Sequence, residues 1–295
     1  MPERGFLEKR KSPVSPPGDD ARATPVGVLL AAARDRTEAP GLRATALAGV
    51  ANACLGCPRA VQAAEAAGGV AVAFSFVAGR ARKGADLAVR ARAAALLARL
   101  VTGGGPDGSA ARTLRAAPKA LPALAACLAH ARHERGDAWR DDERDGLLRA
   151  VAGALAYEKA PGAVAAFLAS GGYDVLVSLL PAPRRDLGAV TARSVSQTPA
   201  ESVSTQCAGN ACKALLAALG NDDAALRTAV AERLAAGDAV ERLVCALANF
   251  KDMPVRRNCA VCLAKLMAAC PATKDRIRDL RGIEMITILG NALVA

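Results

Sequence analysis

Five stretches of the chain share one order of polar, small and apolar positions: LRATALAGVANACLG (42–56), VRARAAALLARLVTG (89–103), GLLRAVAGALAYEKA (146–160), CAGNACKALLAALGN (207–221) and VRRNCAVCLAKLMAA (255–269). The fourth residue of each is polar: Thr45, Arg92, Arg149, Asn210 and Asn258. Ala or Cys follows it (Ala46, Ala93, Ala150, Ala211, Cys259), then a second apolar residue (Leu47, Ala94, Val151, Cys212, Ala260). Five residues after each polar anchor comes Val50, Leu97, Ala154, Leu215 or Leu263, the spacing of an amphipathic helix with one buried face. Small residues at fixed places predict helices that approach one another closely.

A second set of landmarks has the same phase. Short apolar helices are predicted ahead of the phrases at 70–77, 120–128, 173–180 and 239–250, with one more beginning at Ile283; Pro25–Arg34 reads as a helix of the same kind. Turn signals precede four of them at 67–69, 170–172, 236–238 and 280–282, each holding a Gly able to end a helix in the left-handed conformation. Each unit therefore reads as short helix, turn, apolar helix, loop, long helix. Anchors 47, 57, 61 and 48 residues apart match two or three helices plus insertions. One such unit cannot bury its own apolar face, so neighbours must stack. The final helix, from Ile283, is expected to expose Ile286 and Leu289 unless another chain covers them, with the protein a monomer or weakly associated end to end.

Composition narrows this reading. Of 295 residues 52% are apolar but only 3% aromatic, and 72 are Ala, which suits close-packed helices and excludes an all-β or collagen-like chain. With 23% charged residues and mean hydropathy +0.19 the chain is too apolar to be disordered throughout. Two stretches depart from the helical pattern. Residues 1–23, rich in Pro and basic residues, are predicted to be a tail, and 181–205 a disordered insertion, leaving 24–295 as the helical array. The charged N-terminus lacks a signal-peptide core, and no stretch reaches 18 apolar residues without a charge. A chain in the cytoplasm, or alternatively the nucleus, with no membrane association is expected. Its nine Cys, an odd number, then read as reduced thiols packed as small apolar groups.

At Asp252, Pro254, Val255, Arg256, Asn258, Leu263 and Leu266 the chain resembles the second and third helices of an armadillo repeat, and residues 42–69 are also similar. The resemblance implies an all-α, right-handed α-solenoid of about five repeats with long inter-helix loops. The stretch Asn258 to Ile286 is also similar to the armadillo part of tetratricopeptide-plus-armadillo proteins of the axonemal dynein assembly type, although no tetratricopeptide segment is present. In the armadillo family third helices line a concave groove that holds an extended peptide by an Asn ladder, often beside Trp. Seven residues after each anchor this chain has Asn52, Arg99, Ala156, Ala217 and Lys265, so only Asn52 keeps the amide. The resemblance implies a partner groove built from Asn52, Arg92, Arg99, Arg149, Asn210, Asn258 and Lys265, basic enough to favour an acidic segment. The alternative is that these are solvated faces of amphipathic helices. Residues 129–145 and 181–205 read as loops leaving one edge of the array, and Trp139, placed in the first of them, is a candidate partner contact or a cover over the helices beneath.

Catalytic and metal chemistry find little support. Cys54/Cys57 and Cys259/Cys262 each have half a zinc site's spacing but lie about 200 residues apart, and the second pair occupies small-residue positions of the repeat, so core packing is expected. His130 and His133, the only histidines, have no nucleophile in fixed relation to them, and the Gly-rich stretch at 103–108 lacks the Lys-Ser/Thr of a phosphate loop. No enzyme, cofactor or metal site is implied. The net charge of +11 suits an acidic partner, although 30 of the 39 basic residues are Arg, which a GC-rich genome also supplies. Two classes stay open: a non-catalytic scaffold that binds another protein, of the assembly or trafficking kind, and an RNA-binding solenoid with few aromatics for stacking.

Overall fold

The computed structural model describes residues 24–79, 85–105, 108–117, 119–131, 138–156, 161–182 and 205–294. The expected tail, 1–23, and most of the expected insertion, 183–204, lie outside them, as does His133. The described residues form sixteen helices and no strand. They fall into two compact units, divided between Ala154 and Leu155.

The first unit begins with α1 (Pro25–Arg34) and the long α2 (Pro40–Ala53). Two triads of short, middle and long helix follow: α3 (Pro58–Ala66), α4 (Gly69–Ala78) and α5 (Ala85–Gly103), then α6 (Ser109–Ala116), α7 (Ala120–Ala131) and α8 (Ala138–Leu155). The second unit has the triads α9 (Pro161–Ala169), α10 (Gly172–Ser178), α11 (Thr205–Leu219) and α12 (Ala224–Ala236), α13 (Ala239–Asn249), α14 (Met253–Ala269), with the pair α15 (Thr273–Asp279) and α16 (Gly282–Val294). The predicted phrases fall on the long helices α2, α5, α8, α11 and α14, which we call third helices.

Local chemistry sets the helix ends. Proline opens α1, α2 and α3, where its fixed φ suits the first turn and its missing N–H is not needed. Thr24, Asp223 and Asp252 cap α1, α12 and α14 by accepting backbone N–H groups at 3.0, 3.1 and 2.9 Å. Gly68, at φ 78°, turns the chain between α3 and α4, which meet at 73°, and Gly171 does the same before α10. The other two turn signals work differently from the expectation. Gly237 is not left-handed (φ −100°), and before α16 the residue with positive φ is Arg281, at 58°, not Gly282. Gly282 is needed for space instead, since a Cβ there would lie 2.8 Å from Ile277.

The core follows the repeat. Every residue one, two and five places after the five anchors is buried, including Leu47, Leu97, Val151, Leu215 and Leu263 at 0% exposure. Within each unit the third helices lie against one another, α2 on α5 and α11 on α14. Small residues allow this: a Cβ on Gly146 of α8 would lie 2.6 Å from the backbone of Ala94 in α5, and one on Gly209 of α11 would lie 2.9 Å from Val255. The cysteines pack here too. Cys212 and Cys259 place their sulfurs 3.5 Å apart, Cys262 lies against the Cys212 carbonyl, and all three are fully buried. The Cys212 contact and burial hold the Cys259 thiol well above its usual range.

At the last helix an apolar residue is exposed, but it is not the expected Leu289. Leu289 is buried at 3% exposure and Ile286 is half-buried, while Ile288 is the exposed residue at 65%. Helix α16 packs on α13 and α15, and helical periodicity turns 289 inward and 288 outward.

Candidate functional site

The position seven residues after each anchor faces solvent at least in part, on α2, α5, α11 and α14 and in the turn that ends α8. Asn52, Ala156 and Lys265 are exposed, and Arg99 and Ala217 are half-exposed. The anchors vary more. Thr45 is exposed and returns its hydroxyl to the Gly41 carbonyl at 2.9 Å, while Arg92, Arg149 and Asn258 are half-exposed. Asn210 is buried at 6% exposure within α11, so its amide is withdrawn from the surface on which the sequence placed it. A polar residue flanked by buried Gly209 and Ala211 on a short-sided helix is enclosed by its neighbours.

In the first unit Arg92 and Arg149 of this face are already engaged. Trp139 is the second residue of α8 and not a loop residue, so it belongs to a third helix. The stretch 138–145 looked like a loop because it is dense in charge. Its charges pair at helical spacing, Arg144 with Asp141, Arg149 with Asp145 and Arg140 with Glu143, and an acidic first turn suits the helix dipole. The Arg92 guanidinium stacks 4.8 Å over the Trp139 ring, which is 36% exposed, and lies 3.9 Å from Asp142. Arg99 has no ion pair among the described residues.

Below this face runs a buried charge cluster. The Arg90 Nε and Nη2 donate to Glu143 Oε1 at 2.9 and 2.6 Å, its Nη1 donates to the Gly79 carbonyl at 2.6 Å, and Arg140 approaches the other carboxylate oxygen at 3.5 Å. Glu143 is fully buried and Arg90 only 6% exposed, so the ions are held by each other and by the end of α4.

Arg90 also exposes a pattern that the sequence reading passed over. Two residues before the anchor, Arg43, Arg90 and Arg256 each donate to a carbonyl at the end of the helix preceding their own: Ala33 at 3.2 Å, Gly79 at 2.6 Å and Leu247 at 3.1 Å. Other arginines do the same across neighbouring helices, Arg34 to Ala67, Arg242 to Leu180, and Arg276 to both Ala235 and Gly237. These carbonyls lie in the last turn of a helix or within two residues past its end, near the negative end of the helix dipole. The recurring Leu-Arg or Val-Arg at 42–43, 89–90 and 255–256 was the available signal.

In the second unit the third helices are different. Neither α11 nor α14 contains Asp or Glu within its bounds. Lys213, Arg257 and Lys265 are exposed, with Val261 at 38% exposure between the last two. Lys265 Nζ lies 3.4 Å from where a Cβ on Gly220 would be, so the ammonium rests over the C-terminal turn of α11.

Metal and catalytic candidates separate rather than gather. Cys54 is buried while Cys57, its partner in spacing, is exposed at the start of α3, and His130 is exposed at the end of α7. Among the described residues no group of three or more His, Cys, Asp or Glu could hold a metal ion. No single described helix is long and apolar enough to cross a membrane.

No family model and no curated protein matches the chain. Its fold is similar to those of two engineered proteins of known crystal structure, at TM-score 0.62 with 21% identity over 90% of this chain and 89% of that one, and at 0.63 with 17% over 89% of each. A designed armadillo repeat protein is matched more loosely, at TM-score 0.41 and 13% identity over 81% of this chain and 98% of that one. With its three-helix units, the chain has an all-α helical-repeat fold. The similarity of residues 258–286 to dynein assembly proteins is not shown by these comparisons.

Proposed function

We propose that this protein is a non-catalytic repeat scaffold, an assembly or trafficking factor in type, that holds an extended segment of a partner protein along its third-helix faces. What carries this reading is the serial placement of the position seven after each anchor, at least half-exposed on α2, α5, α11 and α14 and just past the end of α8, over a uniformly buried inner face. Within each unit, like positions repeated on neighbouring third helices suit the recognition of extended chain, in which successive residues meet successive helices. The arginines that donate to helix-end carbonyls weigh against RNA, because they put a good part of the basic excess into holding the repeats together.

Site-specific photo-crosslinking of the full chain in an extract of its native cells tests the proposal. A photoreactive residue at Asn52 or Ala217 is expected to capture one discrete protein, and one at Gln62 or Ala225, exposed on first helices, is expected not to. Equal capture at all four positions, or capture of RNA alone, would refute it.

A further inference from the structure

Which part of the third-helix face selects the partner is decided by which of its charges are still uncommitted. In the first unit Arg90 is buried against Glu143, Arg92 is stacked on Trp139 beside Asp142, and Arg149 is paired with Asp145. A ligand carboxylate at Arg92 or Arg149 would have to displace an aspartate already in place. Arg99, without an ion pair among the described residues, is only half-exposed, whereas Lys213 and Lys265 are exposed. In the second unit Lys213 and Lys265 have no acidic neighbour on α11 or α14 and no ion pair among the described residues.

We infer that the α11–α14 face, through Lys213 and Lys265, is the selective subsite of the scaffold and takes an acidic, extended polypeptide segment. The inference rests on the scaffold reading above and deepens it. Lys213, Ala217 and Gly220 follow at i, i+4 and i+7 on one side of α11, and Lys265 Nζ reaches the Gly220 end of that side. Seven residues of helical rise put the Lys213 backbone about 10 Å from the Gly220 turn beneath the Lys265 ammonium, roughly three residues of extended chain. Between them Ala217 offers only a methyl group, leaving room for a peptide backbone to lie close. Two exposed cations without an ion pair among the described residues also raise the encounter rate of an acidic segment. The site moves away from the arginines that composition alone favoured.

A ribosome-displayed library of random linear dodecapeptides, selected on the immobilised full chain, tests this directly. Recovered peptides are expected to be enriched in Asp and Glu. In fluorescence anisotropy, the double variant Lys213→Glu/Lys265→Glu should weaken their binding by about tenfold or more, Lys213→Gln/Lys265→Gln by severalfold, and Arg99→Glu by less than about twofold. The Gln pair decides if the charge reversal lowers helical content by circular dichroism. Recovered peptides without acidic enrichment, or equally sensitive to Arg99→Glu, would overturn the subsite while leaving the scaffold reading standing. Failure to recover any peptide, with tight binding of a uridine oligonucleotide, would remove both.

Discussion

At the scale of single residues, glycine shows how closely the third helices are set. Gly146 lies where α8 crosses α5, and a methyl group there would meet the backbone of Ala94 at 2.6 Å, which no rotamer change can relieve. Gly162, in the first turn of α9, has nothing within 4 Å of a Cβ. Opposite signs are therefore expected from one chemical change. Gly146→Ala should cost about 1–3 kcal/mol by overpacking, and Gly162→Ala should be neutral or gain roughly 0.5–1 kcal/mol from reduced freedom of the unfolded chain. Urea unfolding of the two variants reads the difference, and a destabilising Gly162→Ala with a silent Gly146→Ala would show the α5–α8 approach to be wrong. The ions beneath are equally tied to the packing, since a Glu143 left without Arg90 would be a buried, unpaired charge.

At the scale of elements, the third helices were legible in the sequence because burial repeats at one, two and five residues past each anchor, and small residues mark the contacts. Elements whose logic is not apolar were harder to read. The start of α8 is held by charge pairs at three- and four-residue spacing, a pattern that resembles a solvated loop, so Trp139 was misplaced. Asn210 looked like a groove residue because position in the repeat does not reveal the thickness of the layer around it. The arginines two residues before the anchors were visible, but the carbonyls they meet belong to other helices and appear only after folding. The turn before α16 shows a related compromise. Arg281 holds φ 58° although its side chain makes only an exposed ion pair with Glu284, and a left-handed non-glycine residue costs about 1 kcal/mol. Arg281→Gly is expected to raise the stability of the second unit by roughly 0.5–1 kcal/mol, because the exposed pair returns less than the backbone strain removes. A lowered midpoint in thermal unfolding would show that the Arg281–Glu284 pair matters more than this geometry allows.

For the molecule as a whole, the question is what the charge of +11 is for. If it served an acidic partner through net field alone, exchanging Arg for Lys would be silent, since the charge is unchanged. The helix-end bonds give another expectation. Arg43, Arg90 and Arg256 each reach a carbonyl one helix away with a planar, branched donor group, and Arg90 serves Glu143 and Gly79 at once. Lysine carries one point charge on a stem that cannot fork, and it is more costly to strip of water. The triple variant Arg43→Lys/Arg90→Lys/Arg256→Lys should therefore lower the melting temperature by roughly 5–10 °C, given about 2–4 °C per kcal/mol for units of this size. Most of the loss is expected in the first unit, which carries two of the three residues. Hydrogen exchange should rise first at the ends of α1 and α4, where the freed carbonyls lie, while peptide binding at Lys213 and Lys265 stays within about twofold at temperatures where the chain remains folded. An unchanged melting temperature would return the arginines to the surface field. A large drop with preserved peptide affinity would separate the charge that builds the repeats from the charge that meets the partner.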